Sequence, residues 1–214
     1  MHHFTISSND YLRKDIQAFY HTDYVGHKKT ENPNYINILK NTYNKCSTSD
    51  LTKLNRAAED LRDVLVEDLP QILQLLSLKT LTLCVVPRAK AETTYTPNQL
   101  FFKSTISEVV KQLNGFSDGT NYIIRHTNTK TTHLPPNTPN YNNDGVSPYP
   151  RITVETCNIS SDVKDRDILL IDDVYTKKVN IDEDAIQALL DKGAHSVTFY
   201  AVGRTKEKTY DLFG

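Results

Sequence analysis

The sequence predicts an α/β fold, a Rossmann-like and mostly parallel sheet joined to a helical N-terminal region. Three observations predict it. An apolar run, Ile168–Ile171, is followed by a helical pattern over 181–192 and a second apolar run over 196–202. Strand, helix and strand in that order make a βαβ unit, whose two strands lie parallel. Upstream, the apolar run 81–86 is stopped by Pro87 and followed by another helical pattern, as expected of a strand buried on both faces. With 214 residues the chain can bury a core without disulfides or zinc. It is expected to divide into a helical or irregular appendage over 1–78 and an α/β core over 79–214.

The first fifty residues are polar and aromatic, with short apolar clusters such as 16–20, and read as irregular with one short helix. Ser49 is placed as an N-cap. Leu51, Leu54, Ala58, Leu61, Leu65 and Leu69 then recur at three- and four-residue spacing, one apolar helix face. Pro70 is expected to break or kink this helix before 72–76 continues it. A helix is predicted over 97–113 and a short strand over 122–124. Residues 126–150 hold five prolines among many Asn and Thr and read as a long polar loop or lid. Residues 151–156 are expected to return as a strand. Gly193 is placed as the residue that ends the last helix.

Composition excludes several classes of function. Twenty-five Lys and Arg stand against 26 Asp and Glu, a balance that argues against a protein coating nucleic acid or an anionic membrane. No apolar stretch reaches the ~18 residues of a membrane span. Cys46, Cys84 and Cys157 form no CxxC pair, and a cytoplasmic location is expected. The histidines, from His2 and His3 through His21, His27, His126 and His133 to His195, show no metal-binding spacing. Cys84 is expected to be an inert core residue.

The strongest chemical signal is the segment 168–176, Ile-Leu-Leu-Ile-Asp-Asp-Val-Tyr-Thr. In an open parallel sheet, ligands bind at the carboxyl ends of strands, where Asp172 and Asp173 are expected. The turn 176–180 precedes a helix, so it offers backbone amides for a phosphate. Carboxylates beside such a cradle suit a sugar phosphate. A Walker B strand would need a GxxxxGK[ST] partner, which the sequence lacks. A dehalogenase-type motif would need a second acid where Val174 or Tyr175 stands. The plain alternative is a buried strand ending in solvated acids.

On these residues the chain resembles the type I phosphoribosyltransferases. Segment 168–176 looks like their phosphoribosyl-pyrophosphate motif, four apolar residues, two acids and a hydroxyl-bearing loop. Pro87-Arg88-Ala89-Lys90, followed by Asn98-Gln99-Leu100, is similar to the competence-protein-F-like branch, which is related to the amidophosphoribosyltransferases. Ala201-Val202-Gly203-Arg204-Thr205 is a third echo, so the resemblance spans about 79–205.

The resemblance implies transfer of ribose 5-phosphate from phosphoribosyl pyrophosphate to a base or amine, with release of pyrophosphate. Mg²⁺ is the implied cofactor, carried by the substrate and met by no protein group other than Asp172 and Asp173. The two acids would hold the ribose hydroxyls. Thr176, Lys177, Lys178, Val179 and Asn180 would line the 5′-phosphate loop. Val174 and Tyr175 would complete the substrate-binding stretch; by its place beside the acids, Tyr175 either packs on a bound base or sugar or only covers the sheet edge. Arg88, Ala89 and Lys90 would meet the pyrophosphate, and 126–150 would be the lid. The family's phosphate loop carries a glycine where this chain has Lys177, Lys178, Val179 and Asn180. A left-handed residue at Lys178 would cost roughly 1–2 kcal/mol. Alternatives are a non-catalytic nucleotide-sensing or scaffold module on the same fold, or a toxin or defence effector acting on nucleotides. The implied partners are the donor, its acceptor, and a second copy or a protein encoded alongside; nucleic acid is not expected.

Overall fold

The structure is a computed structural model and describes residues 1–26, 29–44, 47–134, 138, 139 and 141–206. His27, Cys46, residues 135–137 and 140 of the polar loop, and 207–214 of the expected core lie outside the described residues. In chain order the elements are β1 (His2–Ile6), β2 (Ile16–Tyr24), α1 (Asn34–Lys40), α2 (Thr48–Leu75), β3 (Leu81–Val85), α3 (Phe101–Val110) and β4 (Phe116–Asp118). They continue with β5 (Ile123–Arg125), α4 (Ile152–Thr156), β6 (Cys157–Ile159), β7 (Asp167–Tyr175), α5 (Ile181–Asp191) and β8 (Ser196–Thr205).

Among the described residues the main sheet has six strands in the order β1-β2-β8-β7-β3-β4. All its pairings are parallel except the β1–β2 hairpin, in which Phe4 faces Ala18. Alternate residues of the central strands go to opposite faces, as the two-residue period of a strand requires. Leu81, Leu83, Val85, Leu169, Ile171, Tyr200 and Val202 pack with α1, α2 and α3. Cys84, Val86, Ile168, Leu170, Phe199 and Ala201 pack with α5. Both faces are covered, which explains why β3 and β7 are near-continuously apolar rather than alternating.

The first fifty residues, expected to be irregular with one short helix, contain the short helix α1, but residues 2–24 are not irregular. Residues 2–24 hold the two strands β1 and β2, and β2 pairs along β8 from Ala18 to Tyr24. Among the described residues of the first 78, the helices are α1 and α2, and α2 packs Leu61, Leu65, Leu69 and Ile72 into the main core. This region is therefore built into the sheet and its core rather than appended to them.

Local expectations were corrected in the same way. Ser47, not Ser49, caps α2 and accepts a hydrogen bond from the amide of Asp50 at 3.2 Å. The helix runs through Pro70 without a break. An interior proline costs about 3 kcal/mol, which the full burial of Leu65, Leu69 and Ile72 on either side offsets. Residues 97–100 form a 3₁₀ turn leading into α3. Residues 151–156, expected as a strand, contain the short helix α4 because the Asp184 carboxylate accepts from the amides of Arg151 (2.5 Å) and Thr153 (2.7 Å). Tertiary capping here overrides a β-branched sequence. Gly193, at φ +97°, ends α5 as expected, and the amide of Ala194 bonds back to Leu189 at 3.1 Å. No described helix is long and apolar enough to cross a membrane.

Candidate active site

The chain leaves β3 through α3 toward β4 on one side, and leaves β7 through α5 toward β8 on the other. Strands β3 and β7 are neighbours, so the connections diverge between them. Such a switch point opens a crevice beyond the carboxyl ends of the strands. The last paired residues are Val85 and Ile171. Beyond them β3 turns away at Pro87, while β7 continues along β8 to Tyr175. The acids therefore do not end the strand as expected. They lie within it, where its β3 neighbour has departed.

A cavity of about 460 Å³ fills this crevice. Of the residues singled out in the sequence, Arg88, Ala89, Lys90, Asp172, Asp173, Val174, Thr176 and Val179 line it. Tyr175, Lys177, Lys178 and Asn180 do not. Tyr175 points into the opposite core, its ring 5.2 Å from that of Phe4 and 5.7 Å from that of Phe199, and its hydroxyl donates to Glu183 at 2.8 Å. It packs in the cluster on the α5 side of the sheet, away from the cavity that Val174 and Thr176 line. Lys177 and Lys178 are exposed. The left-handed residue of the loop is Asn180 (φ +60°) rather than Lys178, and Asn tolerates that conformation better than Lys. Asn180 accepts from the Asn9 side chain at 3.2 Å. Thr176 shares a 2.7 Å hydroxyl contact with Thr205, the last residue of β8.

Three residues that the sequence reading missed complete the acidic floor. Lys40, the last residue of α1, places its ammonium 2.9 and 3.0 Å from the two carboxylate oxygens of Asp173. Burial works against its charge, but the Asp173 carboxylate outweighs this and holds the Lys40 pKa above its ordinary value. Asp182, in the first turn of α5, is 5% exposed and lines the cavity. Burial and the charges of Asp172 and Glu183 push the Asp182 carboxyl well up. Burial, followed by the charge of Asp173, raises Asp172 to about 7, and a hydrogen bond from Asp182 partly opposes the shift. The pair therefore shares a proton that Asp182 holds and donates to Asp172. Tyr24 forms the third part of this wall, and its hydroxyl donates to Asn37 at 2.8 Å.

The basic residues expected to meet pyrophosphate are committed to the protein itself. Arg88 donates to the carbonyls of Gln99 (2.5 Å) and Lys40 (2.6 Å), with its guanidinium 4.6 Å from the Tyr95 ring centroid. Lys90 donates to the carbonyls of Thr129 (2.9 Å) and Asp144 (2.6 Å) and to the Asp144 carboxylate (2.9 Å). It thus ties Thr129 and Asp144 of the polar segment to the cavity, where Thr129–His133 and Tyr141 form a wall. Arg125, only 2% exposed, donates to the Arg88 carbonyl at 2.7 Å and to the Thr156 hydroxyl. Cys84 is fully buried, and burial pushes its thiol up to about 12, as befits an inert core residue.

Lys40 and Asp182 lie 132 and 10 positions from Asp172, and no short motif could have joined them. The three acids 182–184 read as helix-favouring charges near an N-terminus, which is a correct but incomplete reading of Asp182. Compared with known proteins, the chain matches no family model, no curated protein and no solved structure.

Proposed function

We propose that this protein is a phosphoribosyltransferase that transfers ribose 5-phosphate from phosphoribosyl pyrophosphate to a nitrogenous acceptor, a base or an amine. The observation that carries the reading is the pair Asp172–Asp173 on the floor of the switch-point cavity, beside the loop that enters α5. The bond from ribose C1 to the pyrophosphate oxygen breaks and its electron pair leaves with pyrophosphate. The acceptor nitrogen forms the new bond to C1 and gives up a proton. Positive charge builds on the ribose ring as the first bond stretches, and a carboxylate placed beside it stabilises that charge. Asp173 and Asp172 would accept hydrogen bonds from the ribose hydroxyls and fix the ring. The walls formed by Arg88, Lys90 and residues 129–133 would exclude water from C1, which favours transfer over hydrolysis.

The acids also suit Mg²⁺, a hard cation that binds through one or two carboxylates and completes its shell with water and substrate phosphates. Asp172 and Asp173 would hold it, and when bound it neutralises charge on the leaving pyrophosphate. The test is pyrophosphate release from phosphoribosyl pyrophosphate and Mg²⁺ across a panel of bases and amines. An acceptor-dependent rate that falls at least a hundredfold in Asp173→Asn is the expected result.

One observation favours a non-catalytic sensing module on the same fold. Arg88 and Lys90 hold backbone carbonyls and a loop carboxylate rather than facing the cavity with unused donors. Donor binding without pyrophosphate release for any acceptor would decide for that module.

A further inference from the structure

We infer that the Lys40 ammonium is a built-in cation at Asp173, which excludes a bare divalent ion from the acid pair and must be displaced when a metal-bound donor enters. Lys40 bonds both oxygens of Asp173, at 2.9 and 3.0 Å, and so occupies the side of the carboxylate that a cation in this cavity would use. Its side chain is 15% exposed and that of Asp173 25% exposed, so water screens the pair only weakly.

The backbone carrying Lys40 is fixed by side chains on three sides. Arg88 holds the Lys40 carbonyl at 2.6 Å, the Asn41 amide group holds the Asn98 carbonyl at 3.1 Å, and the Gln99 amide group holds the Thr42 carbonyl at 3.0 Å. The end of α1 is thereby stapled to the segment between β3 and α3, and the ammonium is positioned by the fold rather than by chance.

The physical consequence is competition. A divalent ion approaching Asp173 must first move a lysine that already neutralises it. A donor carrying phosphate oxygens offers the displaced ammonium a new partner, so metal and donor enter together and Lys40 passes from carboxylate to phosphate. Lys40 is then a positioning residue for Asp173 in the unliganded protein and a donor contact in the liganded one. This inference rests on the phosphoribosyltransferase reading only for the identity of the donor.

The test uses the full chain and Mn²⁺ alone as the probe, followed by paramagnetic resonance of unbound Mn²⁺, in the wild type, Lys40→Met, Lys40→Arg, and Lys40→Met with Asp173→Asn. Folding of each is checked by thermal melting. Lys40→Met is expected to bind Mn²⁺ about tenfold more tightly than the wild type, equivalent to ~1.4 kcal/mol of relieved competition. Lys40→Arg should stay near the wild type, and the double variant should lose the gain. Equal Mn²⁺ affinity in the wild type and Lys40→Met overturns the inference. In a second arm, phosphoribosyl pyrophosphate with Mg²⁺ should bind Lys40→Met at least tenfold more weakly than the wild type. Wild-type affinity in that variant overturns the donor contact. If no variant and no wild type binds the donor, the proposed function fails, while the Mn²⁺ arm still decides the place of Lys40.

Discussion

Replacing Asp182 with asparagine should remove a specific part of the pH dependence of stability. In the native chain Asp182 keeps a proton well above the ordinary carboxylate range, and burial with the charge of Asp173 raises Asp172 to about 7. Unfolded, both groups titrate near 3.9. A raised native pKa contributes stability that is full below the unfolded value and is lost as pH rises toward the native value. With Asp172 raised to about 7 and Asp182 raised as well, the native pair keeps a proton above pH 5 that the unfolded chain has released. Linkage then gives a loss of about 1.4 kcal/mol per pH unit for each proton so retained. Asparagine is of similar shape, can still donate to Asp172, and does not titrate. Urea unfolding of both proteins at pH 5, 6 and 7, in buffer with a chelator, measures the difference. Glu183, which burial also raises, is present in both proteins and cancels. Stability of Asp182→Asn relative to wild type should climb from pH 5 to 7, at no more than about 1.4 kcal/mol per pH unit for the one titrating group removed. Parallel pH profiles would refute the shared proton.

Other predictions concern the packing around the cavity. Lys90→Met removes the bonds to Thr129 and Asp144; it should cost about 2 kcal/mol or more and speed hydrogen exchange in segment 128–134. Gly145 has φ +98° and lies against the Asn128 carbonyl, so Gly145→Ala should lower the melting temperature and expose the same segment to protease. Tyr200→Phe removes a 2.7 Å hydrogen bond to the fully buried Asp68 and should cost about 1–3 kcal/mol by thermal or urea unfolding at neutral pH. Burial works to raise Asp68, but hydrogen bonds from His21 and Tyr200 outweigh it and hold its pKa below the usual value. Its stability contribution is present above the unfolded pKa and lost as pH falls through the native one, so Tyr200→Phe should also shrink the acid-side loss below about pH 4.

The parts of the fold legible in the sequence are those where local pattern and burial agree. Strands β3 and β7 are buried on both faces, so short stretches rich in Leu, Ile and Val mark them without a partner being known. Gly193 and the helix before it were readable because a C-terminal glycine has a local cause. Strands β1 and β2 were not readable. Their segments mix His, Tyr, Thr and Gln, and their identity comes from pairing with β8, far along the chain. The same division runs through the site. Asp172 and Asp173 stand out because two acids interrupt an apolar run. Lys40 is one lysine at a helix end until α1 folds over β7, and Asp182 is one of three adjacent acids whose separate directions only the packing sets. Tyr175 was misplaced for an elementary reason. The strand continues beyond the acids, and Tyr175 packs with Phe4 and Phe199 on the α5 side of the sheet instead of entering the cavity.

The most direct test of the central claim is calorimetric titration of the protein with phosphoribosyl pyrophosphate and Mg²⁺, comparing the native chain with Asp173→Ala. The account predicts one binding event per chain in the native protein and its loss in the variant, with the variant still folded by thermal melting. No heat at millimolar donor, or equal binding by the variant, would contradict the placement of the donor at this acid pair.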